Sequence, residues 1–201
     1  MALLEDWEFL RNQVEKLRTE ISALELSSNL VLMLIAAEDH RYGKHPGVDM
    51  ISVFRAIWRS LFCGKREGAS TIAMQLVRVT TGRYERTIKR KIIEMYLAMR
   101  LTRNFDEHDI PKMYLAVAYY GWKMNGLKQA SNRLHLNQSS LTLNEAASIV
   151  ARLKYPEPKQ PSSKRYRQIE ERAKYILRRA DNLCPYLDVS RFIVRNADGA
   201  L

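Results

Sequence analysis

The stretch Val31-Leu32-Met33-Leu34-Ile35-Ala36-Ala37-Glu38-Asp39-His40-Arg41-Tyr42-Gly43-Lys44-His45-Pro46-Gly47 decides how this chain is read. Val31 to Ala37 is apolar without interruption, so a helix here has no solvent face and lies in the core. The loop that follows is punctuated by Gly43, Pro46 and Gly47, which places Glu38 at the C-terminal end of the helix. The helix dipole and low-dielectric surroundings both disfavour an anion at that end. A carboxylate so placed suits general acid or base chemistry. It suits a solvated helix end equally well, and these residues alone leave both readings open.

Outward from this stretch the chain reads as helical throughout, and the fold class is mainly α. Leu3, Trp7, Leu10, Val14, Leu17, Ile21 and Leu24 alternate spacings of four and three, a short heptad seam on an amphipathic helix within residues 1–28. That seam suits self-association or a partner helix through residues 3–24, or packing against the chain's own domain. Ser27-Ser28-Asn29 breaks the helix and caps the next. Residues 51–62, Ile-Ser-Val-Phe-Arg-Ala-Ile-Trp-Arg-Ser-Leu-Phe, suit a core helix or a lipid interface, where arginines reach headgroups and rings sit at the acyl boundary. Further helices are expected over 84–103, 107–120 and 164–180, with Thr142 and Glu145 forming a capping box at the start of another. No segment carries a strand period strong enough for a sheet. The main domain runs over 29–185 and residues 186–201 read as a tail.

With 201 residues the chain can bury one core, accompanied by an accessory helix. Its formal charge of +11 favours an anionic partner: nucleic acid, a phosphorylated ligand or an acidic membrane surface. Cys63 and Cys184 lack metal-ligand spacing and read as small buried residues. No apolar run approaches the length of a membrane span, and the first residues lack the basic region of an export signal.

The helix expected over 84–103 concentrates cations. On a wheel Arg86, Arg90 and Glu94 fall at i, i+4 and i+8 with Lys91 beside them, while Ile88, Ile92, Met95, Tyr96 and Met99 form another face. Ile93, Leu97 and Leu101 make the late turns apolar on more than one side, so the helix is expected to be central. Unpaired charge is costly to bury, and an anionic ligand would account for the basic strip. Intrahelical pairing with Glu85 and Glu94 would account for it too. Nucleic acid is set aside because a recognition helix must be exposed, whereas this strip is flanked by apolar faces.

At this point the residues resemble the peptidoglycan glycosyltransferases, glycosyltransferase family 51, as found in monofunctional transglycosylases and in class A penicillin-binding proteins. The first motif of that family appears as Glu38, Asp39, Tyr42, His45 and Gly47, and the second as Gly68-Ala69-Ser70-Thr71-Ile72 with Gln75. The third appears as Arg90, Lys91 and Glu94. Weaker matches follow at Ile110 to Leu115 with Tyr119-Tyr120-Gly121, and at Leu141 to Ala147.

The resemblance implies a lysozyme-like helical lobe with a smaller, membrane-interacting jaw lobe, and residues 51–62 fall where the jaw lies. It implies polymerisation of lipid II into β-1,4 glycan strands by inverting displacement of undecaprenyl diphosphate. Glu38 would be the general base on the acceptor hydroxyl. Arg78, Arg86, Arg90 and Lys91 would bind the diphosphate, and Glu94 would be the second essential carboxylate. Asp39, Tyr42, His45, Gly47, Ser70, Thr71 and Gln75 would line or support the cleft. No cofactor is required, and a divalent cation, magnesium or manganese, has a place at the diphosphate near Glu94. Lipid II and lipid-linked glycan are the implied partners, at the outer face of the bacterial cytoplasmic membrane.

Met74, Val79, Thr102 and Ala116 depart from the family's usual pattern, which bears on substrate affinity and cleft rigidity more than on chemistry. The rival readings are a non-catalytic relative that binds lipid-linked glycan or a cell-wall partner, and a hydrolase sharing the lysozyme-like lobe.

Overall fold

The computed structural model describes residues 2–22, 24–64 and 68–183. Cys184 and the expected tail at 186–201 lie outside them. Within the described residues the chain is a helical bundle with one small hairpin, consistent with a lysozyme-like fold.

Helix α1 (Ala2–Ser22) carries the heptad seam, and α2 (Ser28–Glu38) is the core helix that the opening stretch requires. Leu30 to Ala37 are all buried, and Glu38 is the last helical residue. Ser27 occupies the N-cap without bonding the helix amides, and its hydroxyl instead donates to the Leu141 carbonyl at 3.4 Å, as Asn29 does at 2.8 Å, tying α2 to a distant loop. The seam of α1 turns inward. Trp7, Leu10, Val14 and Ile21 are buried in the common core, where α1 packs on the helices Ile72–Thr81, Ile88–Asn104 and Asp109–Val117. Apolar area that already faces the core is unavailable to another chain, so the self-association or partner helix expected through residues 3–24 does not use this seam.

Helix α3 (Met50–Phe62) stands apart from the bundle. Asp49 caps it, accepting from the Ile51 and Ser52 amides and from the Ser52 hydroxyl at 2.6 Å. Only Ser52 is buried on this helix, while Phe54 is 67% and Trp58 63% exposed, with Ile57, Leu61 and Phe62 beside them. The core reading of 51–62 is thereby excluded. Cys63, just past its end, is exposed rather than buried, because the helix that carries it leaves the core.

Helix α4 (Ile72–Thr81) begins at Thr71, whose hydroxyl oxygen accepts from the Met74 amide, and ends at Gly82 in the left-handed conformation. Helix α5 (Ile88–Asn104) starts four residues later than the sequence suggests, because Thr87 caps it by accepting from the Arg90 amide. Helix α6 (Asp109–Val117) stops before Tyr120, and a hairpin follows: β1 (Tyr119–Gly121) pairs antiparallel with β2 (Met124–Asn125). Strands this short carry no readable period, which is why none is expected from sequence. Gly121 has φ +143°, and a Cβ there would fall 2.2 Å from the Glu157 carbonyl oxygen, so the hairpin needs glycine to touch the backbone of Glu157.

Helix α7 (Leu127–Leu134) precedes α8 (Leu143–Lys154), which opens with the capping box of Thr142 and Glu145 read from sequence. Helix α9 (Ser163–Leu183) lays Ile169, Ile176 and Ala180 against α8 and α2. That packing carries its basic face to the C-terminal end of α2, where the candidate site lies.

Candidate active site

A cleft of about 870 Å³ opens at the end of α2. Glu38 and Asp39 form its floor, Ser70, Thr71 and Gln75 one wall, Ser52, Arg55 and Arg59 of α3 another, and Arg172, Tyr175 and Arg179 of α9 a third. Five of the residues expected at the site, Glu38, Asp39, Ser70, Thr71 and Gln75, therefore meet on one surface.

Glu38 is held from two sides. Gln75 Nε2 donates to its Oε2 at 2.9 Å, and the Gln75 carbonyl oxygen accepts from the Tyr114 hydroxyl at 2.5 Å, which fixes the amide. Arg172 Nη2 donates to Glu38 Oε1 at 3.3 Å and to the Ala37 carbonyl at 3.1 Å. The awkward helix end thus has a counter-ion: one guanidinium meets both the carboxylate and a terminal carbonyl of α2. Part of the Glu38 side chain, 19%, remains open to solvent, so an incoming hydroxyl can reach an oxygen lone pair.

Asp39 turns away from chemistry and supports the loop. Its Oδ1 lies 2.9 Å from His45 Nε2, and its Oδ2 accepts from the Ile72 amide at 3.2 Å. Tyr42 is buried behind the cleft, donating to the Glu107 carbonyl at 2.5 Å and meeting the His45 ring edge-on. Thr71 donates to the Gly47 carbonyl at 2.6 Å while capping α4. Gly47 has φ +88°, and a Cβ there would fall 2.5 Å from the Ala98 carbonyl oxygen of α5. Tyr42, His45 and Gly47 thus brace the first loop against α4 and α5, and Thr71, although it borders the cleft, spends its hydroxyl on the same bracing.

Glu94 anchors a second cluster. Only 3% of its side chain is exposed. Arg78 donates to it bidentately at 2.9 and 3.0 Å, Lys91 donates at 2.8 Å, and Arg90 completes the set. Burial alone would raise the Glu94 carboxyl, but the bonds from Arg78 and Lys91 outweigh it and hold the group below the ordinary value. Burial lowers Lys91, against the pull of Glu94 and with the repulsion of Arg78 and Arg90. Ser70 joins the cluster to the cleft: its hydroxyl oxygen accepts from Lys91 at 2.9 Å and from Arg78 at 3.3 Å while the residue lines the pocket beside Glu38.

Arg86 does not join. It precedes α5 in an exposed irregular segment, so the helical wheel that aligned it with Arg90 does not apply, and it makes no ion pair among the described residues. A divalent cation does not fit beside Glu94 either, since both carboxylate oxygens already accept from cationic donors.

The departures from the family pattern fall in scaffolding rather than on the cleft surface. Met74 is fully buried, and Val79 packs partly buried against the core. Thr102 donates to the Ala98 carbonyl at 3.0 Å beside Gly47, and the Ala116 carbonyl lies against Gly126. Sequence reasoning missed Tyr114, and it missed Arg172. Arg172 sits 134 positions from Glu38 on a helix whose many cations look alike, and no local signal singles it out.

The chain matches the family described as Transglycosylase over residues 7–181. It is 34% identical over 179 residues to penicillin-binding protein 1A of Escherichia coli, covering 88% of this chain and 21% of that protein. It is 33% identical over 147 residues to penicillin-binding protein 1F of Bacillus subtilis, covering 72% and 20%. Against penicillin-binding protein 2a of Streptococcus pneumoniae the figures are 32% over 140 residues, covering 69% and 19%. The chain thus spans about a fifth of the length of these relatives. A match over nearly the whole chain, with relatives 32–34% identical over 69–88% of it, establishes that this protein belongs to the transglycosylase family.

Proposed function

We propose that the protein is a peptidoglycan glycosyltransferase that polymerises lipid II into β-1,4 glycan strands. The observation that carries this reading is Ser70, which lines the same cleft as Glu38 while its hydroxyl binds Arg78 and Lys91 of the Glu94 cluster. Ser70 therefore joins the cleft that holds the Glu38 carboxylate to the neighbouring cationic set. A transfer from a sugar diphosphate to a sugar hydroxyl needs both.

In this reading Glu38 takes the proton from the acceptor's 4-hydroxyl as its oxygen attacks C1 of the donor sugar. The bond from C1 to the diphosphate oxygen breaks on the opposite face, so the α-linked donor becomes a β-linked product in one displacement. Arg78, Arg90 and Lys91 neutralise the charge that grows on the departing diphosphate. Glu94 keeps these cations packed together and fixed in direction. Gln75, Tyr114 and Arg172 aim Glu38. Arg86 has no assigned contact and can meet the substrate only from the exposed side.

The substrate is lipid-linked, so the cleft must work at a membrane surface, here the outer face of the cytoplasmic membrane. The exposed Phe54, Ile57, Trp58, Leu61 and Phe62 of α3 suit insertion at the acyl boundary, with Arg55 and Arg59 near headgroups. No helix among the described residues is long and apolar enough to cross a membrane.

The test is incubation of the purified protein with labelled lipid II in detergent. Polymer from the wild type and none from Glu38→Gln is the expected result. Binding without product, or shortening of preformed glycan, would overturn the reading.

A further inference from the structure

Helix α5 is built inside out. Its ion-pair cluster faces inward, with Glu94 buried, whereas Ile88 is 82% and Ile92 61% exposed on the opposite side. Tyr96 and, just before the helix, Tyr84 are exposed as well, and Met95 and Met99 are partly so. Ile88, Ile92, Met95, Tyr96 and Met99 recur at helical spacing, so they form one continuous apolar strip. Sequence reading expects this helix to be central, and it is central on one side only, where Glu94, Leu97, Ala98 and Leu101 are buried. A strip of this kind on an outer face marks a contact surface.

The charges around the strip identify what would cover it. Lys89 and Arg103 are exposed at its two ends, and Arg100 is half-buried with its guanidinium 4.4 Å from the Trp7 ring and 6.0 Å from that of Tyr96. The only carboxylate on α5 is Glu94, which points inward. The outer face is apolar in the middle, and the exposed charges at its rim are Arg86, Lys89 and Arg103 against Glu85 before the helix and Asp106 after it, a cationic excess that complements anionic lipid headgroups above an acyl boundary. A second copy of the chain suits it poorly, since pairing two such faces would bring Lys89 and Arg103 of both copies together.

We propose that the outer face of α5, centred on Ile88, Ile92 and Tyr96, is a docking surface for an anionic bilayer, in addition to that of α3. The choice of a bilayer as occupant rests on reading the cleft as one that takes a lipid-linked substrate. Docking through α5 would hold the helix that carries Arg90 and Lys91 against the headgroup layer, where the substrate's diphosphate lies.

The experiment is vesicle flotation of the full chain, without substrate, on phosphatidylcholine with and without phosphatidylglycerol. The wild type is expected to float with the anionic vesicles, and Ile88→Asn/Ile92→Asn to bind them about tenfold more weakly or less. Both isoleucines are exposed, so the double variant should keep the wild-type melting temperature and its polymerisation of lipid II in detergent. A fluorophore on Ile92→Cys, with Cys63 and Cys184 changed to Ser, should shift to the blue on anionic vesicles. Equal binding by wild type and double variant, no binding by the wild type, or a wild-type dimer that the double variant dissolves would each overturn the proposal. Absence of polymer in detergent would overturn the catalytic reading and leave the flotation result standing, so the two failures are distinguishable.

Discussion

Glu38 and Glu94 are the same residue in two environments, and the contrast between them separates their work. Glu38 ends a helix at an open cleft, held by one neutral amide and one guanidinium. Glu94 lies in the middle of a helix, buried, with three cations on its two oxygens. A saturated carboxylate cannot take a proton from a substrate without losing a cation, whereas a partly open one can. The lesson is that a carboxylate's role is set by how many of its lone pairs the protein has already used. Ser70 links the two sites and lets the anchored cluster serve the open one.

The contrast breaks most directly at Glu38. Glu38→Gln keeps the bond geometry to Gln75 and Arg172 approximately and removes the base, so turnover of lipid II should fall by about 10²–10⁴-fold. Its melting temperature should stay near that of the wild type. Retained turnover would reverse the assignment of roles.

Glu94→Gln should act on stability as well as on activity. Removing the anion leaves three cations facing a neutral amide, which costs about 2–4 kcal/mol once the partial exposure of Arg78 and Lys91 is allowed for. The Glu94 carboxyl lies below its ordinary value in the folded state, so its contribution is complete above the unfolded value near 4.5 and is lost as pH falls through the folded one. Thermal melts at descending pH should show that acid loss in the wild type and less of it in Glu94→Gln.

Arg172→Met should lower kcat about 10–100-fold with little change in KM, because it removes a charge-assisted bond that aims the base and touches no substrate in this reading. Arg172→Lys should restore part of the loss. A variant that unfolds instead would show a purely structural residue, which circular dichroism would reveal.

The smallest effect concerns Lys91. Its folded value lies below the ordinary 10.5, chiefly through burial, so it releases its proton at lower pH than a free lysine. Activity that needs its charge should therefore fall on the alkaline side before pH 10.5 is reached. Lys91→Arg keeps the charge and should move that limb of the pH–rate profile upward. An unmoved limb would show that another group sets it.

Much of this molecule is legible in its sequence because its strongest signals are local. The apolar run of α2 and the capping box of Thr142 and Glu145 are each contained within a few turns, and both form as read. The site was legible in part: Glu38, Gln75 and Ser70 meet at the cleft, and Arg90, Lys91 and Glu94 share one helix. The alignment of Arg86 with Arg90 did not hold, because a wheel assumes the helix has begun and Thr87 starts it later. The heptad seam was legible as apolar, but a seam does not name its partner. Here the partner is the chain's own core.

The sequence by itself determined the helical class, the glutamate at the end of a buried helix and the order of motifs around it. Only the tertiary structure decided that Arg172 faces Glu38, that Ser70 joins two sites, that α3 leaves the bundle and that α5 turns Glu94 inward and Ile88 and Ile92 outward. The physical reason is range. Helix formation, capping and apolar periodicity depend on neighbours within a few residues, whereas burial and ion pairing depend on which distant surfaces pack together.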